Sequence, residues 1–240
     1  MPRRPSPTHR WLTAATWPAG IALTAWDYMW RSTPLHRSER LEGPDSWRPW
    51  PAVEDAPLTD EIQGVEKGYG PLFHRRYRTR ISDAAVGPEE VMSALQANLN
   101  RAAPTTFARF QKVHGDRRTM RIGDEYVVRM PGPWDGPVRV IEAEPCSFRL
   151  ATLAGHLEAG QIEFRVGTSE GGQMAFEIES WARSSGRVSN LLYHRVRFAK
   201  EVQAHMWMSF LEGVVSLADG RMTGGIQIET RRIEELPDGR

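Results

Sequence analysis

The feature that most constrains the fold of this chain is a proline-free stretch over residues 188–217. Apolar side chains recur in it mostly at helical spacings: Leu191, Leu192, Val196, Phe198, Val202, Met206 and Phe210. This periodicity predicts one long helix, about 45 Å in length at a rise of 1.5 Å per residue. A helix of that length can cross a whole sheet, so the preceding segments are expected to supply the sheet.

Short strand-like runs precede this helix. In residues 72–82, Phe73, Tyr77, Thr79 and Ile81 share one face, and the opposite face carries a basic row of His74, Arg76, Arg78 and Arg80. A helix opens at Gly87–Pro88, with proline and two glutamates in its first turn. Six more runs follow, separated by turns rich in Gly, Pro and Asp: 107–113, 118–130, 138–143, 147–153, 156–166 and 174–182. The order predicts an α+β domain with an antiparallel sheet and a long C-terminal helix.

Composition narrows the class of protein. The chain has 240 residues, and its 31 basic and 30 acidic residues leave a formal charge of +1, which gives no electrostatic reason to bind nucleic acid. Cys146 is the only cysteine, which excludes an internal disulfide and fits a reducing compartment. A cytoplasmic location is therefore predicted. Cys146 opens an apolar run, so we interpret it as a small buried hydrophobe rather than a nucleophile.

The N-terminal region differs from the rest of the chain. Its uncharged run, residues 11–26, is 16 residues long and contains Pro18, which is short of the roughly 20 apolar residues that span a bilayer. From Ala19 to Trp30 the apolar side chains recur at helical spacing, which predicts an amphipathic helix. Arginines flank the tryptophans of this region: Trp11, Trp17, Trp26 and Trp30. Two interpretations stay open, a helix lying at the inner face of a membrane and a helix packed on protein.

Prolines and glycines set the predicted domain boundaries. Residues 1–40 form the basic, tryptophan-rich segment, and residues 41–68 form a Pro- and Gly-rich connector. Residues 69–219 form the main domain, and residues 220–240 form a tail.

One set of motifs carries a resemblance to a known family. The run TLAGHLEAGQIEF (residues 152–164), FEIESWARS (176–184) and LLYHRVR (191–197) resemble the domain-of-unknown-function family nineteen-ninety, found in bacteria and plants. The order of elements is also similar to the helix-grip fold of START-like and birch-pollen-allergen-like proteins, in which a curved sheet wraps a long helix. The family often has glutamate where this chain has Gln161, which argues against a catalytic carboxylate there.

Several side chains are candidates for a site in such a fold. His156 and Glu158 lie two residues apart on one strand, where the carboxylate would orient the imidazole for acid–base chemistry. The alternative for His156 is a strand-end histidine hydrogen-bonded to the backbone. Glu177, Glu179 and Arg183 share a strand face with Trp181, either in a cavity or on a solvated face with ion pairs. The remaining candidate ligand-binding residues are Trp134, His194, Phe198, Val202 and Met206. No metal-ligand spacing, nucleotide motif or other cofactor motif is present.

Three functions follow as hypotheses. The first is a module that binds a small hydrophobic molecule or lipid, taken from a membrane through the N-terminal helix. The second is a cyclase- or dehydratase-like enzyme with His156 as the acid–base group. The third is a structural or membrane-surface protein without a pocket. Oligomeric state is not encoded in any motif.

Overall fold

Strands dominate the part of the chain that the computed structural model describes. This part comprises residues 33–42, 61–105, 108–130, 135–169, 171–186 and 197–234, excluding the side chains of 42 and 197–202. Its elements in chain order are β1 (Leu35–Glu42), β2 (Tyr69–Ser82), α1 (Pro88–Ala97), β3 (Arg109–His114), β4 (Glu125–Arg129), β5 (Asp135–Glu144), β6 (Ser147–Thr152), β7 (Glu158–Thr168), β8 (Met174–Ser184), α2 (Arg197–Leu217) and β9 (Arg221–Ile233). Short 3-10 turns lie at Val65–Lys67 and Leu99–Arg101.

The strands form one sheet in the order β1-β9-β2-β8-β7-β6-β5-β4-β3. The seven runs predicted from the sequence are β2 to β8, and all of their pairings are antiparallel. The sheet as a whole is mixed rather than antiparallel, because β1 pairs with β9 in parallel. The sequence of β1, LHRSERLE, has no clear apolar alternation, so it lacked the signal that identified the other strands.

Alternation along the strands gives the sheet an inner face, which packs on α2, and an outer face. On β2 the inner face includes Tyr77 and Ile81, both buried in the main core. Across the sheet this core gathers Phe148, Phe164 and Phe176, and α2 contributes Met206, Trp207, Phe210, Leu211 and Val214. The aromatic rings of Phe164 and Phe210 lie 5.4 Å apart between their centroids. The predicted two-faced character of β2 is therefore confirmed, with its apolar face toward the helix.

The long helix is present as the 21-residue α2, but it is not the last element. Residues 221–233, predicted to belong to a tail, form β9 and enter the sheet between β1 and β2. Ile226 and Ile228 of β9 are buried in the main core. This strand was not predicted because Gly224 and Gly225 interrupt it and because its apolar alternation is short. The predicted helical start before residue 197 and the predicted N-terminal helix lie outside the described residues.

Neither described helix is both long and apolar enough to cross a membrane.

Strand β1 extends over residues 35–42, so it lies across the predicted boundary at residue 40.

Helix α2 approaches the backbone closely at Gly213. A Cβ atom there would stand 2.3 Å from the carbonyl oxygen of Ala102. Alanine favours a helix interior over glycine by about 1 kcal/mol, but overpacking against rigid backbone costs about 3 kcal/mol. Gly213→Ala is therefore expected to lower the free energy of unfolding by about 2 kcal/mol, measured by urea denaturation.

The matched control for this prediction is Gly167→Ala. A Cβ at Gly167, near the end of β7, would meet no atom within 4 Å. Its expected change lies within about 0.5 kcal/mol. Equal stability of the two variants would show that Ala102 yields freely and that the close approach does not constrain the helix.

Candidate functional site

A polar cluster, with Arg75 buried and its other members partly buried, interrupts the apolar contact between the sheet and α2. We call Arg75, Glu158 and Gln203 the inner polar cluster. Arg75 lies on the inner face of β2 between Phe73 and Tyr77 and is 5% exposed. Its guanidinium carbon stands 4.8 Å from the centroid of the Phe73 ring, a cation–π contact. A charged side chain thus occupies a position that alternation would assign to an apolar residue.

Gln203 of α2 joins the two charged members of the cluster. Its Oε1 accepts a hydrogen bond from Arg75 Nη1 at 3.0 Å. Its Nε2 donates to Glu158 Oε2, also at 3.0 Å. Arg75 Nη1 and Glu158 Oε1 are 3.9 Å apart, which is longer than a hydrogen bond. The amide therefore links an arginine on β2 to a glutamate on β7.

The family motif positions Glu158 at the start of β7. The hydroxyl of Thr152 donates to the carbonyl of Gln63 at 2.8 Å and accepts from the backbone N–H of Gly160 at 3.0 Å. The Gln63 side chain donates to the carbonyls of His156 and Glu158. These bonds tie the β6–β7 turn to the segment before β2, so the backbone of Glu158 is held from both sides.

Position 160 of the same motif must be glycine, because the backbone of β8 lies very close to it. A Cβ at this position would stand 1.9 Å from the carbonyl oxygen of Trp181 on β8. Any larger residue would push β7 away from β8, and with it Glu158. The Thr152–Gly160 part of the motif therefore fixes the backbone at the start of β7, where Glu158 lies.

His156 stabilises this turn through its ring. The backbone N–H of Glu158 donates to His156 Nδ1 at 2.9 Å. The ring also lies against Gly136, where an added Cβ would meet Nε2 at 2.9 Å. Burial lowers the pKa of His156, against the opposing effect of the nearby Glu158 carboxylate. This is the geometry of a strand-end histidine bonded to the backbone, while the Glu158 carboxylate is directed to Gln203.

Of the other predicted ligand-binding residues, Met206 and Trp181 have described side chains, and these two lie on opposite faces of the sheet. Met206 of α2 is buried in the main core between the helix and the sheet. Trp181 lies on the outer face, where its ring stacks on His74 with centroids 5.2 Å apart. Phe198 and Val202 belong to α2, but their side chains lie outside the described part, as do Trp134 and His194.

The outer face carries a network of ion pairs around Glu179. This carboxylate contacts His74 Nε2 at 2.7 Å, Arg76 Nη2 at 2.9 Å and Arg165 Nη2 at 2.5 Å. Burial alone would raise the pKa of Glu179, but the His74 hydrogen bond and the two arginine charges outweigh it and hold the pKa at about 2. Its cross-strand neighbour Glu163 has a pKa raised by burial. The row with Glu177 and Glu179 thus has the ion pairs of the second predicted alternative, but Glu179 is buried in the network rather than solvated.

Sequence reasoning missed two of the three members of the inner polar cluster. Arg75 was the one charged residue among the inner-face positions from Phe73 to Ile81, which was a usable signal. The sequence contained no signal for Gln203, because glutamine is common on long helices. Among the described residues, no group of three or more His, Cys, Asp or Glu side chains is arranged to hold a metal ion.

The fold and the inner polar cluster define a class: an α+β domain in which a long helix packs on one face of a mixed sheet, with charged side chains between them. A family model described as a domain of unknown function (DUF1990) matches residues 63–211. The chain belongs to that family. No curated protein sequence is detectably similar to it.

Solved structures that are similar to parts of this chain have low sequence identity to it and TM-scores below 0.5. The di-domain ARO/CYC StfQ from the steffimycin biosynthetic pathway is 11% identical with a TM-score of 0.45, covering 65% of this chain and 52% of StfQ. The hypothetical protein jhp0584 from Helicobacter pylori is 10% identical with a TM-score of 0.42, covering 61% of this chain and 87% of its own. Major latex-like protein 151 from Panax ginseng is 10% identical with a TM-score of 0.42, covering 60% of this chain and 97% of the ginseng protein.

Proposed function

We propose that the domain binds a small amphipathic molecule between the inner face of the sheet and the N-terminal half of α2. The observation that carries this proposal is the inner polar cluster. Burying Arg75 and partly burying Glu158 costs more solvation than their attraction usually returns, so such groups are poor devices for stability alone. Charged groups placed in an interior are candidates for binding or chemistry.

The position of the cluster supports the proposal. From Met206 onward the face of α2 directed at the sheet is filled by its own apolar side chains and the aromatic rings of the sheet. Gln203 lies before that filled region, where the interface changes from apolar to polar. Ligand sites combine apolar walls with a few polar groups that orient the ligand, which is the composition found here.

Uptake of the ligand from a membrane through residues 1–32 stays a prediction, because those residues lie outside the described part of the chain. Cytoplasmic location likewise stays a prediction.

The proposal predicts thermal stabilisation of the full chain by some members of a hydrophobic-metabolite library. A ligand at 100 times its Kd stabilises the native state by about 2.7 kcal/mol, which for a chain of this size raises the Tm by roughly 5–10 °C. Hydrogen–deuterium exchange should then show added protection in β2, in the start of β7 and near Gln203. Strands β3 and β4 serve as the internal control, because they lie at the far edge of the sheet.

Two results would contradict the proposal. One is the lack of any stabilising compound combined with a purified protein that shows only its own mass in native mass spectrometry. The other is stabilisation accompanied by protection confined to the outer face.

A further inference from the structure

Trp207 presents a hydrogen-bond donor in the interior of the domain. Its side chain is packed edge-on against Phe164 and Phe210, with centroid distances of 5.5 and 6.1 Å, and the residue is 5% exposed. The indole Nε1 is buried and has no hydrogen-bond partner among the described residues. A buried N–H without an acceptor is destabilising, so its persistence needs a reason.

Helical geometry places Trp207 on the same side of α2 as Gln203, a member of the inner polar cluster. Gln203 and Trp207 are four residues apart on α2 and therefore neighbours on the same side of the helix. Arg75, which contacts Gln203, also carries only donors. The two donor-only side chains define a place suited to an acceptor, and guanidinium binds a planar carboxylate most strongly because two parallel hydrogen bonds form.

We propose that the ligand of this domain carries a carboxylate, which binds Arg75 and the indole N–H of Trp207, on an apolar body. This assignment rests on the proposed binding function. The incoming carboxylate replaces the Gln203 amide oxygen at Arg75, since a charged acceptor is stronger than a neutral one. Gln203 keeps its donated bond to Glu158, whose Oε2 is 3.0 Å from the amide nitrogen. Glu158 thereby acts as a positioning residue that holds Gln203 aside.

The test compares three probes of equal chain length at neutral pH: decanoate, decanol and decylamine, by calorimetric titration of the full chain. Decanoate is expected to bind at least about tenfold more tightly than decanol, the effect of a charge-assisted hydrogen bond. The ratio of the decanol Kd to the decanoate Kd should fall to about one in Arg75→Met. In Trp207→Phe the same ratio should fall severalfold. The matched control is Arg80→Met, because Arg80 lies on the same strand but is exposed on the outer face, and its ratio should stay unchanged.

The alternative outcomes separate the two proposals. Equal binding of decanoate and decanol would overturn the carboxylate assignment and leave the binding function standing. Tighter binding of decylamine would overturn it in favour of Glu158 as the head-group partner. If no probe binds, the carboxylate assignment fails, and the metabolite library decides the binding function separately. Should Arg75→Met not fold, Arg75→Lys and Trp207→Phe are the deciding variants, since the first keeps the charge and loses the paired geometry.

Discussion

Phe164→Ala is expected to lower the free energy of unfolding by about 3–5 kcal/mol, the largest effect of any single substitution considered for this domain. Phe164 is fully buried. Its ring stacks on Phe148 with centroids 4.5 Å apart, and it contacts Trp207 and Phe210 of α2. Because these three rings are held by other strands and by the helix, the cavity left by the substitution cannot collapse fully. Urea denaturation measures the loss.

The control for Phe164→Ala is Tyr69→Ala. Tyr69 begins β2 and is 45% exposed, so truncation removes an aromatic ring without creating an enclosed cavity. Its expected cost is below about 1 kcal/mol. If Phe164→Ala lowers the free energy of unfolding by no more than Tyr69→Ala, then the helix moves onto the sheet and fills the cavity. In that case the aromatic core does not fix the position of α2.

Glu179→Gln is expected to lower the free energy of unfolding by about 3 kcal/mol at pH 7. The pKa of Glu179 falls from its ordinary value of 4.5 to about 2 in the folded state. A depressed pKa contributes stability above the unfolded-state value, and one pKa unit corresponds to about 1.4 kcal/mol. The contribution is lost as the pH falls from about 4.5 toward 2. The difference between wild type and Glu179→Gln should therefore shrink to about 1 kcal/mol at pH 3.

Glu144→Gln is the matched control for this pH dependence. Glu144 lies exposed at the end of β5, so loss of its charge should change stability by less than about 0.5 kcal/mol at either pH. A difference for Glu179→Gln that stays constant from pH 7 to pH 3 would show that lost packing, not charge, is responsible. It would also remove the outer-face network as a source of acid sensitivity.

The strands of the central sheet were predictable because their signals are local. Residues 147–153 were predicted as a strand, and the structure has β6 at Ser147–Thr152, since alternating side chains are read from adjacent positions. Helix α1 was predicted from Gly87 and Pro88 for the same reason. Strands β1 and β9 were not, because neither alternates clearly and their parallel pairing joins segments that are far apart in the chain.

The family motif illustrates a different limit. It identified the family, and it drew attention to His156 as a titratable group. The structure shows that the ring binds the backbone N–H of Glu158, while the Glu158 carboxylate meets α2. Which atoms of two neighbouring residues meet depends on side-chain direction at a turn, and sequence spacing contains no information on that direction.

The order of the central elements, the two faces of β2 and the family follow from the sequence alone, because each of these depends on residue types at short, regular spacings. The contact between the apolar face of β2 and α2, and the clustering of Arg75, Glu158 and Gln203, follow only from the tertiary structure. Arg75 and Gln203 are 128 residues apart in the chain, and Gln203 and Glu158 are 45 apart. Contacts at such separations arise from how the helix crosses the sheet, a property of the whole fold that no local pattern contains.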